Sequence, residues 1–168
     1  MPELFWAGHA WGNFLNFSKD SPEAVVEMPK IQALMERVVE LDPTYYHGAP
    51  LAFLGGFFGS RPKLIGGDPD KSKDYFEKAL AVSEGKNLLV KVAYAQFYAV
   101  QTQNQELFKK LLEEVRMADP MALKDLTLVN KLAQIRAQLL LERSDDFFES
   151  AVKNSKRKPK ESGFETKT

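Results

Sequence analysis

The sequence predicts an all-α protein in which helical hairpin repeats stack into a short superhelix. Three observations support this class. Apolar residues recur at three- and four-residue steps along most of the chain, and no segment alternates apolar and polar residues for long enough to form a strand. Glycines, prolines and helix-capping residues separate the periodic segments, as they do between paired helices. Residues 3–152 are therefore predicted to form one helical repeat domain.

The clearest helix signal lies between residues 68 and 85. Asp68 followed by Pro69 is typical of a helix start, and Gly85 lies where a glycine commonly ends a helix. Upstream, Leu51-x-x-Leu54-Gly55-x-x-Phe58 precedes Ser72-x-x-x-Phe76. This order matches the tetratricopeptide template, with large residues, a glycine and an aromatic on helix A, then a small residue and Phe on helix B. The hairpins are therefore predicted to be tetratricopeptide-like.

The other elements are predicted in chain order from the same signals. Four small residues at positions 7, 8, 10 and 12 of the first helix indicate close packing against a neighbouring helix. Ser21 and Pro22 mark the start of the second helix, in which Pro29 predicts a kink or a fresh start. Pro50 lies in the first turn of the third helix or kinks it, and Asn104 is the predicted cap of a later one. The predicted helices span residues 4–17, 22–41, 45–58, 88–101, 106–117 and 126–141, with a short segment to Val152.

Two of the predicted hairpins are longer than the template. The template separates the helix-A glycine from the helix-B small residue by about 12 residues, whereas Gly55 to Ser72 is 17 steps and Gly12 to Ile31 is 19. Equivalent loops of stacked repeats project from one side of the array, so both insertions are candidates for function, with packing or drift as the alternative. The lengthened loops are residues 60–67 and 18–28.

Composition narrows the classes of function. The formal net charge is zero, which favours neither nucleic acid nor a membrane surface as a partner. Residues 153–168 hold six Lys/Arg against two Asp/Glu, including Lys156 to Lys158, and are predicted to be a basic disordered tail. The sequence contains no cysteine, no apolar run long enough to span a bilayer and no signal-peptide pattern.

Five stretches of the chain resemble the TRAP-transporter-associated tetratricopeptide family, the T component of some tripartite uptake systems. They occur in the expected order and together cover roughly residues 3–149. The stretches are Phe5 to Gly12, Leu41 to Tyr45 with Gly48-Ala49, Gly66 to Asp68 with Tyr75 to Leu80, Ser83 to Lys86 with Val92 to Ala95, and Asn130 to Ala137.

The resemblance implies a non-enzymatic scaffold that associates with the extracytoplasmic solute-binding protein of a TRAP transporter. It also implies a homotrimer, a groove or channel for an apolar ligand, and a periplasmic location. Family members carry a lipoprotein anchor in their full-length form. The printed sequence has no lipobox cysteine, so the resemblance does not extend to the anchor, and one interpretation is that the chain lacks N-terminal helices of the family.

Candidate binding residues come from aromatic clusters and from the lengthened loop near residue 63. Aromatic side chains at helical spacing are usually core, although Trp and Tyr also anchor interfaces. No cofactor, metal site or catalytic set is predicted, because His9 and His47 have no carboxylates at metal-ligand spacing. Asp68 after Gly66-Gly67 predicts a helix cap and not a phosphate loop. The candidates for binding are Trp6, Trp11, Tyr45, Tyr46, Phe57, Lys63, Leu64 and Ile65.

Two other interpretations remain beside the leading one. A generic tetratricopeptide adaptor in the cytosol would grip peptide carboxylates with Lys or Arg on helix A, but residues 45–59 contain neither. An enzyme ranks third, since no nucleophile and base can be paired from spacing. Asn130 and Arg136 lie among apolar residues of the last helix, where we expect a semi-buried polar network with a structural role.

Overall fold

The computed structural model describes residues 1–17 and 22–148, and within those ranges it contains helices and no strands. The all-α prediction is therefore confirmed. Ser21, Val152 and the predicted basic tail lie outside the described residues. The elements are α1 (Pro2–Phe17), α2 (Pro22–Leu41), α3 (Tyr45–Gly59), α4 (Pro69–Val82), α5 (Leu88–Ala93), a π-helical segment (Tyr94–Ala99), α6 (Gln105–Met117), α7 (Thr127–Glu142) and α8 (Ser144–Phe147), with 3-10 turns at Lys63–Ile65 and Lys124–Leu126.

The α3–α4 hairpin is packed as the repeat template predicts. Asp68 caps α4, because its side chain accepts hydrogen bonds from the backbone N–H groups of Asp70 and Lys71. A Cβ atom on Gly55 would lie 2.9 Å from the ring of Phe76, so only glycine lets the two helices approach this closely. The Ser72 hydroxyl donates to the Gly55 carbonyl oxygen at 2.7 Å. These contacts fix the pairing of α3 with α4.

The start of α3 departs from a regular helix. Tyr46, His47 and Gly48 have left-handed backbone angles, with φ of 44°, 56° and 80°. The regular helix begins after them, which places Pro50 in its first turn, where a missing N–H costs nothing. Of the two roles proposed for Pro50 from the sequence, the structure shows this one.

The second helix has the bounds predicted from the sequence. α2 runs from Pro22 to Leu41 without interruption at Pro29. The proposed irregular loop over residues 18–28 is therefore wrong for residues 22–28, which are helical, and residues 18–21 lie outside the described part. Ile31, Met35 and Val38 are fully buried and anchor the part of α2 that follows Pro29.

The C-terminal half contains the larger hydrophobic core. Phe76, Leu88, Phe108 and Leu112 are fully buried there. The predicted helix over residues 88–101 forms as α5 followed by the π segment, and Asn104 caps α6 as predicted, its side chain accepting from the Leu107 N–H at 2.9 Å. The α8 segment places two phenylalanines, Phe147 and Phe148, against the Phe108 ring.

The last long helix buries one polar residue, Asn130, beside Ala133, Ala137 and Leu140, and exposes several apolar ones. Asn130 is fully buried and bonds the Leu88 N–H and the carbonyl oxygens of Lys86 and Pro120, which confirms its predicted structural role. Arg136 is exposed, so the network predicted for it is wrong. Four exposed apolar side chains, here called the outer row, follow a heptad-like spacing along α7: Leu128, Leu132, Ile135 and Leu139.

Candidate functional site

An apolar cavity of about 530 Å³ lies between α1, α3 and α5. Aromatic and aliphatic side chains from these helices form most of its walls, and residues of the Ser60–Gly67 loop form one end. Arg61 is the one Lys or Arg, and no Asp or Glu contributes, among the described residues that line it. Such a cavity is suited to an apolar molecule with few polar groups.

The α1 wall brings aromatic rings together across the cavity. The Phe5 ring lies 4.9 Å from that of Trp6, and His9 lies between 5.6 and 6.0 Å from Phe5, Trp6 and Phe53 by ring centroids. A Cβ atom on Gly12 would lie 2.5 Å from the Phe53 ring, so this glycine permits close contact between α1 and α3. The close packing predicted from the small residues of this helix is therefore confirmed.

The left-handed turn of α3 shapes one end of the cavity. It directs the Tyr46 ring to within 6.0 Å of the Trp6 ring by centroids. It also places His47, whose Nε2 lies 2.6 Å from Asp125 Oδ2. That hydrogen bond lowers the pKa of Asp125. Asn87 donates to the His47 carbonyl oxygen, while its own Oδ1 is buried with no hydrogen-bond partner among the described residues.

Arg61 marks the opposite end, just after α3. Its side chain is buried, with 8% of the residue exposed. Nε and Nη2 donate to the Phe57 carbonyl oxygen at 3.0 and 2.5 Å, and the guanidinium carbon lies 3.5 Å from the centroid of the Phe57 ring. Burial lowers the pKa of Arg61 to about 10, which leaves the group protonated at neutral pH. The cavity therefore has one positively charged end.

The candidate residues from the sequence divide into two groups in the structure. Trp6, Tyr46, Phe57 and Ile65 line the cavity. The other four do not: Trp11 packs beside Ile31, Tyr45 lies against the Phe5 ring, and Lys63 and Leu64 are exposed on the 3-10 turn of the Ser60–Gly67 loop. Whether any of the eight binds a partner stays a prediction.

Several lining residues were not among the candidates. His9, Phe53 and Phe97 belong to helical patterns that read equally well as core, so no local signal separates them. Arg61 could have been noted as the cation that directly follows a helix without Lys or Arg. Asn87 is brought to the cavity by tertiary contact with His47, which sequence spacing does not show.

The described residues contain no group of three or more His, Cys, Asp or Glu side chains that could hold a metal ion. The His47–Asp125 pair lies near the surface, with the Asp125 side chain 63% exposed. Within the described ranges, no helix is long and apolar enough to cross a bilayer.

The fold and the cavity define an all-α helical hairpin protein with a mainly apolar cavity that opens to solvent beside Trp6, Tyr46 and Ile65. Comparison with known families is specific: a model described as the TRAP transporter T-component matches residues 1–148, and the chain belongs to that family. The resemblance predicted from the sequence is thereby confirmed. An uncharacterized protein of Treponema pallidum (strain Nichols) is 27% identical over 115 residues, which are 68% of this chain and 36% of that protein. The chain thus spans about a third of this relative's length.

Proposed function

We propose that this chain is a non-enzymatic scaffold that docks on the extracytoplasmic solute-binding protein of a TRAP uptake system in the periplasm. Membership of the T-component family is the observation that carries the proposal, because it associates the chain with TRAP transport. The periplasmic location and a lipid anchor in a longer form belong to the same proposal and rest on the family resemblance.

The apolar cavity supports a second part of the proposal, the binding of an apolar small molecule. Its volume of about 530 Å³ falls in the range of ligand sites, roughly 300–1,000 Å³. Trp6, Phe53 and Phe57 supply flat apolar walls. An apolar molecule is the ligand that such a cavity binds best, because it covers the aromatic walls and removes them from water.

The Ser60–Gly67 loop is the surface that we propose for docking the solute-binding protein. Leu64 is 96% exposed and projects beside Ile65, which lines the cavity. An apolar side chain with almost no contacts of its own gains most from burial in a partner, and Lys63 next to it offers a charge at the rim. A solute-binding protein docked on this loop would lie next to the cavity, so a ligand would have a short path between the two proteins.

Binding to the solute-binding protein of the same TRAP system tests the docking proposal. Mixing the purified proteins and measuring association by native mass spectrometry and calorimetry should show a complex. The Leu64→Asp variant should weaken the complex at least about tenfold, because it places a charge in an apolar contact. Met117→Asp, which changes another exposed apolar residue (78% exposed) at the end of α6, is the control and should bind normally. Absence of a complex at high micromolar concentration would refute the proposal.

The third part of the proposal is that the chain forms a homo-oligomer, a trimer by family resemblance. The outer row of α7 supports this part. Its members are separated by four, three and four residues, the spacing at which apolar side chains interlock between helices. All four are more than half exposed, so a partner helix would bury them.

A further inference from the structure

The charge of Arg61 is not neutralised within the described structure. Three of its N–H groups are used: two donate to the Phe57 carbonyl oxygen and one donates to Met28 Sδ at 2.7 Å. All of these acceptors are uncharged. No carboxylate among the described residues lies within 4 Å of the guanidinium. A buried charge without a counter-charge is costly, which points to an acceptor outside the described residues.

The structural role of Arg61 does not account for its charge. The side chain caps the C-terminal end of α3, where free carbonyl oxygens such as that of Phe57 need donors. A neutral donor such as glutamine would satisfy a carbonyl oxygen equally well. The helix end carries only a fraction of a negative charge, about half of one, so it offsets the guanidinium in part.

Arg61 places its positive charge at one end of the cavity. The cavity follows α3 from Tyr46 to Arg61, a distance of roughly 20 Å at the rise of a helix. Between these ends the α3 wall is apolar, formed by Ala49, Phe53 and Gly56, and faces His9 and Asn13 of α1. The site therefore has a long apolar part and one cationic end. The N–H groups of Arg61 that do not bond Phe57 or Met28 remain available to an acceptor.

We propose that the cavity binds an amphipathic monoanion, an unbranched apolar chain that ends in a carboxylate, with the carboxylate paired to Arg61. The inference rests on the proposed function, in which this cavity holds an apolar ligand, and specifies the chemical class of that ligand. A carboxylate matches the planar guanidinium and carries one negative charge against one positive charge. The apolar chain lies along the aromatic wall.

The test compares two ligands that differ only at the head group. Dodecanoate and dodecan-1-ol compete with a neutral fluorescent probe of the cavity, N-phenyl-1-naphthylamine, and their dissociation constants are measured on the unmodified protein. We expect dodecanoate to bind at least about tenfold tighter, because a charge-assisted pair replaces a weak contact. Equal affinities would overturn the inference, and so would tighter binding of dodecyl phosphate, a dianion.

Variants locate the effect at Arg61. Arg61→Gln keeps a donor for the Phe57 carbonyl oxygen and removes the charge, so it should abolish the preference for dodecanoate over dodecan-1-ol. Lys63→Gln removes an equal charge from the same loop outside the cavity and should keep the preference. If Lys63→Gln abolished it instead, the carboxylate would not be bound by Arg61.

The outcomes separate this inference from the proposed function. Binding of both ligands with equal affinity would contradict the carboxylate assignment and leave the apolar site standing. Failure of both ligands and of the probe to bind would overturn the apolar site and the inference with it. The comparison on the unmodified protein needs no variant to fold, and circular dichroism checks that each variant is folded.

Discussion

His9 is a titratable residue in the wall of the apolar cavity. Its ring lies among Phe5, Trp6 and Phe53, and its Nδ1 is 3.0 Å from Asn13 Nδ2. Burial against these rings disfavours the imidazolium and lowers the pKa of His9. The neutral ring is therefore part of the apolar wall at neutral pH.

We expect acidification to destabilise the protein through His9. Its pKa is lower in the folded than in the unfolded protein, so the unfolded state binds more protons as pH falls below about 6.5. The stabilisation is present above that pH and is lost as pH falls through the folded-state pKa. Urea unfolding midpoints at pH 7 and 5.5 should differ less for His9→Phe than for the unmodified protein.

The control for this pH effect is His47→Gln, which retains His9. It should keep the part of the pH dependence that His9→Phe removes. An unchanged pH dependence in His9→Phe would contradict the assignment.

Asn130 should be the polar side chain most sensitive to truncation on α7. Asn130→Ala would leave the buried Leu88 N–H and Lys86 carbonyl oxygen without partners. We expect the free energy of unfolding to fall by about 2–3 kcal/mol, measured by chemical denaturation. Arg136→Ala, an exposed change on the same helix, is the matched control and should alter stability by less than about 0.5 kcal/mol. Similar losses in both variants would show that Asn130 has no special role.

At the scale of elements, the α3–α4 hairpin depends on one close contact. Gly55→Ala places a Cβ atom 2.9 Å from the Phe76 ring, and we expect it to cost about 1–3 kcal/mol of stability even though alanine favours helices. In a Phe76→Leu background the smaller side chain leaves room, so the same change should cost less. A double-mutant cycle measures this coupling. Additive effects of the two substitutions would contradict the proposed contact.

Local sequence signals identified the hairpins and their caps because those contacts are local. Asp68 accepts from the N–H groups of the second and third residues that follow it, and Asn104 accepts from that of the third, so each cap is visible in the sequence. The left-handed turn at Tyr46 and His47 was not predicted, since positive φ is uncommon outside glycine and the contacts of His47, with Asn87 and Asp125, are distant in sequence. The π segment and the continuity of α2 likewise depend on packing.

The candidate site was only partly predictable, because tertiary contacts and not local sequence signals bring its residues together. Aromatic clusters drew attention to Trp6 and Tyr46, which meet across the cavity, but nothing local distinguishes them from Trp11, which lies elsewhere. His47 and Asp125 are 78 residues apart in sequence, and only the fold brings them together. Arg61 belongs to the Ser60–Gly67 loop in the sequence, and its contact with the Phe57 carbonyl oxygen of α3 is visible only in the structure.

For the whole molecule, the outer row predicts self-association. Replacing Leu132 and Ile135 together by glutamate should shift the protein to monomers in sedimentation velocity, because charges would enter an apolar contact between helices. Arg136→Glu, on the same helix outside the row, is the control and should leave assembly unchanged. A monomeric unmodified protein at high micromolar concentration would contradict this proposal.

The hydrophobic core is divided into two main clusters, and the apolar cavity lies between them. Phe5, Met35 and Leu54 belong to the N-terminal cluster, whereas Phe108 and Leu112 belong to the larger one. Such a division predicts two cooperative units with different opening free energies. Backbone amides of α1 should therefore exchange with deuterium faster than those of α6, as hydrogen-exchange mass spectrometry can measure. A molecule filling the cavity would contact both units, so slower exchange in α1 would report its binding without any label on the ligand.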